Sequence, residues 1–85
     1  MKALAVWCAF SRTAMARDVT VSEISAAQEN RIRMYCDELN FEIRWGRDNI
    51  DKQAKKLDIF WSSQNKNVHC KDYVDLRFGN DVACR

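Results

Sequence analysis

Four cysteines, one histidine and a few paired acids are the residues of this 85-residue chain that could do chemistry. Cys8, Cys36, Cys70 and Cys84 stand 28, 34 and 14 residues apart, which matches no CxxC or zinc-ribbon spacing. They read as buried or half-buried thiols. In an oxidising compartment they could instead form disulfides, with several pairings open. His69 adjoins Cys70, but a lone histidine without a second ligand at short spacing makes neither a metal centre nor a nucleophile–base pair. Asp37-Glu38 and Asp72 with Asp75 are acid clusters, yet nothing places two carboxylates around an apolar pocket that would separate them into acid and base. Glycine occurs only at Gly46 and Gly79, so there is no phosphate-cradling loop. Lys52, Lys55, Lys56, Lys66 and Lys71, with Trp61 and Tyr73, read as a solvated face rather than a nucleic-acid surface. The expectation is a non-enzyme with no cofactor, no metal, no small-molecule substrate and no nucleic-acid partner.

The elements that must position these residues follow from composition and period. The chain is 47% hydrophobic and 31% charged, which is globular composition. Fourteen basic against twelve acidic residues leave a net charge of +2, too little to announce a polyanionic partner. No apolar run approaches the roughly 20 residues of a membrane span. Lys2 precedes an apolar run that ends at Phe10, and Ala14-Met15-Ala16 follows. Residues 1–16 thus read as an N-terminal helix, with a signal-like segment as the alternative. In the helix reading Leu4, Trp7, Cys8 and Met15 face inward, and Lys2 and Arg12 face outward. The stretch around Thr20-Val21-Ser22-Glu23 fits a capping box or a short strand, and the strand is preferred.

Ile32, Met34 and Cys36 alternate with Arg31, Arg33 and Tyr35. Leu39, Phe41, Ile43 and Trp45 alternate with Asn40, Glu42 and Arg44. Period two on both sides of a polar turn at 37–40 predicts an antiparallel hairpin. After Gly46, Asp48 is expected to cap a helix over about 48–61, whose stripe is Ile50, Ala54, Leu57 and Trp61. Asp48–Lys52 and Asp51–Lys55 have the spacing and order of helix-supporting ion pairs. Residues 62–67 read as a polar loop. Val74, Leu76 and Phe78 alternate with Tyr73, Asp75 and Arg77 as a further strand. Gly79-Asn80 then turns the chain into a last short strand ending at Cys84. The fold class is α+β: a largely antiparallel sheet of about five short strands, the N-terminal helix and one amphipathic helix. Residues 17–85 form a single β domain.

The order hairpin, Trp45-Gly46-Arg47-Asp48, helix, then Tyr73-Val74-Asp75-Leu76-Arg77-Phe78 resembles the C-terminal extracytoplasmic β domain of the bacterial cell-division family FtsQ/DivIB. Phe41-Glu42-Ile43-Arg44-Trp45-Gly46, Lys55-Lys56-Leu57 and residues 73–78 match that family's features in order, best over 39–85 and more loosely over 17–38. Cys70, Cys84 and the Cys36-Asp37-Glu38-Leu39 turn depart from its pattern. The family's usual membrane anchor and POTRA domain do not appear in the sequence. The resemblance implies a divisome scaffold at the periplasmic face of the inner membrane, held there through a membrane-anchored parent. It implies recruitment of FtsB/FtsL-type partners by β-strand addition during septum formation. The alternative is a small secreted or periplasmic binding module containing disulfides.

The partner-binding residues expected on this basis are Arg77, Phe78, Gly79, Asn80, Val82 and Cys84. Arg77 could offer its planar fork to a partner carboxylate, and Phe78 an aromatic anchor. Each has a plainer reading: Arg77 as a strand charge paired with Asp75, Phe78 as core beside Val74 and Leu76, and the last strand as an edge covered by the N-terminal helix.

Overall fold

The computed structural model describes residues 2–28, 31–46, 48–77 and 82–85. Helix α1 (Lys2–Ser11) leads through a 3-10 turn (Met15–Arg17) to strand β1 (Val21–Gln28). Strands β2 (Arg31–Cys36) and β3 (Glu42–Trp45) follow, then helix α2 (Ile50–Ser63), and strands β4 (Tyr73–Asp75) and β5 (Ala83–Cys84). The strands lie in sequence order, β1-β2-β3-β4-β5, in one sheet. The α+β class and the largely antiparallel five-stranded sheet are therefore as expected from the sequence.

The alternation in β2 and β3 is realised. Ile32, Met34, Cys36, Ile43 and Trp45 are buried, and the residues between them are half-buried. Met34 pairs with Ile43 and Ile32 with Trp45 across the hairpin, so both apolar rows point to the same face. The next pairing departs from the hairpin pattern. Helix α2 separates β3 from β4 and returns the chain to its starting end, so Ile43 and Val74 pair in parallel. Strand β5 then turns back antiparallel, with Val74 opposite Cys84 and Asp75 opposite Ala83.

Both helices pack on one face of the sheet. Ala54, Leu57 and Trp61 of the expected α2 stripe are buried and Ile50 is half-buried. The start of α2 differs from the expectation. Asn49, with φ 55°, sits at the N-cap and makes no side-chain cap bond. The carbonyl of Asp48 instead accepts from Gln53 Nε2 at 2.6 Å. Asp51 reaches Arg12 at 3.8 Å, a pair that is largely solvated.

Helix α1 also presents a face other than the one expected. Val6, Ala9 and Phe10 are buried together with Met15, while Leu4, Trp7 and Cys8 are exposed. The stretch is apolar nearly all round, so its period does not select a side. The partner does: α1 lies against α2 and β1, and among its described side chains Val6, Ala9 and Phe10 are the ones buried in the core. The turn after α1 is fixed by α2. Asp58 accepts the backbone N–H groups of Ala14 at 3.3 Å and Met15 at 3.0 Å, and Trp61 Nε1 donates to Asp18 at 3.1 Å. A single core runs from Val6 to Leu76 and includes Cys36 and Cys70. Through Val6, Ala9, Phe10 and Met15 the N-terminal segment thus contributes to the core, and no helix of the described residues is long and apolar enough to cross a membrane.

Candidate functional site

The sheet has two ends, and they are built differently. Strand β1 carries register irregularities between Val21 and Glu23 and between Ser25 and Gln28. Such bulges blunt an edge against further pairing. Strand β5 follows β4 and ends the strand order. Arg85 exchanges both peptide hydrogen bonds with Tyr73, N to O at 2.9 Å and O from N at 3.2 Å. Its carbonyl also accepts from the N–H of Asp72 at 2.7 Å. In an antiparallel ladder, bonded and non-bonded pairs alternate. Residue 85 bonds inward, so the N–H and C=O of Cys84 point away from β4, toward the side on which no described strand lies.

Beyond its pairing with β4, two attachments hold this short strand among the described residues. Val82 is half-buried against the core. Cys84 is joined to Cys70 by a disulfide, with Cα atoms 5.4 Å apart. The four cysteines are thus not all thiols, as the spacing had suggested. Only Cys8, exposed, and Cys36, buried, are free. Pairing of 70 with 84 was one of the open possibilities, and the fold selects it because β5 lies beside the segment that leads into β4. Burial, with Glu38 and Asp37 nearby, pushes the Cys36 thiol up to about 12.

Arg77 emerges from β4 with its fork already engaged. Its Nε and Nη2 donate to the carboxylate of Asp75 at 2.9 and 2.7 Å, and its peptide N–H donates to the same carboxylate at 3.0 Å. Asp75 is only 1% exposed. Burial pushes its carboxyl up, but the bonds from Arg77, and the charges of Arg77 and Arg44, prevail and hold it below its ordinary value. The same pairing raises Arg77. The guanidinium expected to meet a partner carboxylate therefore meets one from its own strand.

The chain around this pair is fixed on every side. The N–H of Leu76 donates to Arg44 O at 3.0 Å, and Lys56 Nζ donates to Leu76 O at 2.8 Å. Gln53, buried on α2, exchanges hydrogen bonds with both peptide groups of Gly46, at 2.8 and 2.9 Å. A Cβ on Gly46 would come within 3.2 Å of Arg77 Cγ, so glycine lets the arginine stem lie against the end of β3. Sequence reasoning held the Asp75 pair as the plainer reading of Arg77, which the structure shows, but missed the role of Gln53. The Asp-x-Arg spacing in 75–77 was the available signal, whereas nothing local marks Gln53.

The sheet face away from the helices carries a second polar network. Tyr35 donates to Glu42 at 2.7 Å, Arg44 Nε donates to Glu42 at 2.5 Å, and the Arg44 guanidinium lies 3.7 Å over the ring of Tyr73. Burial pushes the Glu42 carboxyl up, but hydrogen bonds from Arg44 and Tyr35 hold it below its ordinary value. The bond to Glu42 in turn raises the Tyr35 phenol. This network ties β2, β3 and β4 together across that face.

Among the expected site residues, Cys84 lies on β5, Val82 directly precedes it and Arg77 follows β4. Phe78, Gly79 and Asn80, with the turn they were expected to form, lie outside the described residues. Elsewhere a groove of about 540 Å³ opens between the 3-10 turn, the β2–β3 turn and the chain after α2, over Phe41, Trp61 and Val68. Among the described residues no group of three or more His, Cys, Asp or Glu could hold a metal.

No curated protein matches the chain. A family model described as cell division protein FtsQ/DivIB, C-terminal, matches residues 1–77.

Proposed function

Because the chain belongs to the FtsQ/DivIB C-terminal family, we propose that this cell-division domain is a scaffold that takes up a segment of an FtsB/FtsL-type partner by strand addition at β5. The family match covers Arg77 and stops short of Val82 and Cys84, so the docking residues are argued from geometry. The observation that carries the reading is the end position of β5, with the peptide groups of Cys84 directed outward. Main-chain pairing supplies affinity and register in such complexes. The bulged β1 edge is the poorer template. The polar face of Arg44 and Tyr73 beside the edge offers the residue types that dominate interface hot spots.

In this reading Val82 and Cys84 present backbone to the partner. Arg77, clamped by Asp75, is fixed where the chain leaves β4. The partner's side chains would also meet Phe78, Gly79 and Asn80, the residues that the family resemblance singled out. A disulfide between Cys70 and Cys84 suits an oxidising compartment, in keeping with an extracytoplasmic domain of a membrane-anchored parent. The domain does no catalysis and holds no cofactor.

The test is Val82→Pro, assayed by titration with a synthetic C-terminal FtsB peptide. Proline removes a backbone donor from the edge while leaving β4 unchanged. Binding should fall at least tenfold while the amide of Arg85 stays protected from exchange. Undiminished binding would move the interface to another surface.

A further inference from the structure

Cys84 holds two positions at once. Its peptide groups form the outward rim of β5, and its side chain is the half of the disulfide that lies on the exposed residue; Cys70 is buried, with 4% exposure. Strand β5 is only two residues long and, among the described residues, joins the fold through β4, Val82 and this bond. Neither residue of β5 is among the buried core residues, which come from α1, the 3-10 turn, β2 to β4, α2 and the segments between them, Cys70 included.

We propose that Cys70–Cys84 is a thiol–disulfide exchange site for a dithiol oxidoreductase of the C-x-x-C class, and that its redox state opens and closes the docking edge. The second half of this proposal rests on the strand-addition reading above. A thiolate of the dithiol attacks Sγ of Cys84, the residue open to solvent. The Cys70–Cys84 bond breaks, and its electron pair leaves with Sγ of Cys70, which takes up a proton. The second thiol of the reductant then attacks the mixed disulfide. Cys84 is released as a thiol, and the reductant becomes a disulfide. Two electrons and two protons have passed to the protein.

The consequence for β5 follows from its few remaining ties. The bond closes a segment of 14 residues in sequence separation. Chain-entropy reasoning for such a loop gives a rise on the order of 100-fold in the open population once the bond is cut. The reduced protein then keeps its sheet through β4 but loses the ordered rim on which a partner would pair.

Amide hydrogen exchange on a Cys8→Ser protein tests this, since that change removes the exposed free thiol. Exchange at Asp72, Tyr73 and Arg85 is compared in oxidised protein, in dithiothreitol, and in a Cys70→Ser/Cys84→Ser variant. Ile32 and Met34 report on the core. Titration with the FtsB peptide accompanies each state. The expected result is about 100-fold faster exchange at the three edge amides, unchanged core protection, at least tenfold weaker peptide binding, and recovery on reoxidation. Edge amides that stay protected after reduction overturn the proposal. So does a simultaneous loss of core protection, because the bond then staples the whole fold. Equal peptide binding in both states, with the edge amides open, overturns the gating. Edge opening with no peptide binding in the oxidised protein refutes the docking reading and supports the exchange site.

Discussion

Removing the Arg77 side chain tests whether that residue is first a structural clamp. Asp75 has a side-chain exposure of 2% and Arg77 of 28%, and two side-chain bonds at 2.9 and 2.7 Å join them. Breaking a fully buried ion pair by deleting one partner costs about 3–5 kcal/mol. The partial exposure of Arg77, and the peptide bond that still reaches Asp75, reduce this to about 2–3 kcal/mol for Arg77→Ala. In a domain of this size that lowers the melting temperature by roughly 10–20 °C. Asp75→Asn in the Arg77→Ala background removes the stranded charge and should recover about 1–2 kcal/mol.

The pH dependence gives an independent readout. Asp75 titrates below its ordinary value in the fold, so its contribution is complete above the unfolded value of about 3.9 and is lost as pH falls through the depressed folded value. In Arg77→Ala the burial remains and the attracting fork is gone, so the carboxyl moves up. The deficit of the variant should be largest above about pH 5 and should narrow toward about pH 3. The assay is urea unfolding of the four proteins of the double-mutant cycle across that range. A coupling below about 0.5 kcal/mol, or a deficit that does not change with pH, refutes the clamp.

Gln53→Ala leaves the peptide groups of Gly46 and the carbonyl of Asp48 without their buried partner, and should cost about 2–3 kcal/mol in chemical denaturation. On α1, Phe10→Ala should cost about 3–4 kcal/mol. Leu4→Lys, at a position 61% exposed, should stay within about 0.5 kcal/mol; the reverse order would restore the face expected from sequence. Alkylation of the native protein at neutral pH should label Cys8 alone. Cys36, buried and pushed up to about 12, should react only after unfolding, and mass spectrometry counts both.

The sequence by itself determined the parts of this protein that rest on short-range period. Ile32, Met34 and Cys36 against Ile43 and Trp45 state which side of the hairpin is buried. Ala54, Leu57 and Trp61 state which side of α2 is buried. These patterns are read from neighbours within a turn or two, and burial of one face is the force that acts on them. The motif of 73–78 likewise carried the family. Tertiary structure alone decided what depends on closure of the chain. The inward face of α1 was set by where α2 and β1 stand, because an evenly apolar helix offers no preference of its own. Asp75 alternates with Val74 and Leu76 and reads as an outward strand charge. It is buried because Arg77 folds back over it and Gly46 leaves room for the arginine stem. The parallel pairing of β4 with β3, and the meeting of Cys70 with Cys84, arise where distant segments are brought side by side, and such encounters leave no local period in the sequence.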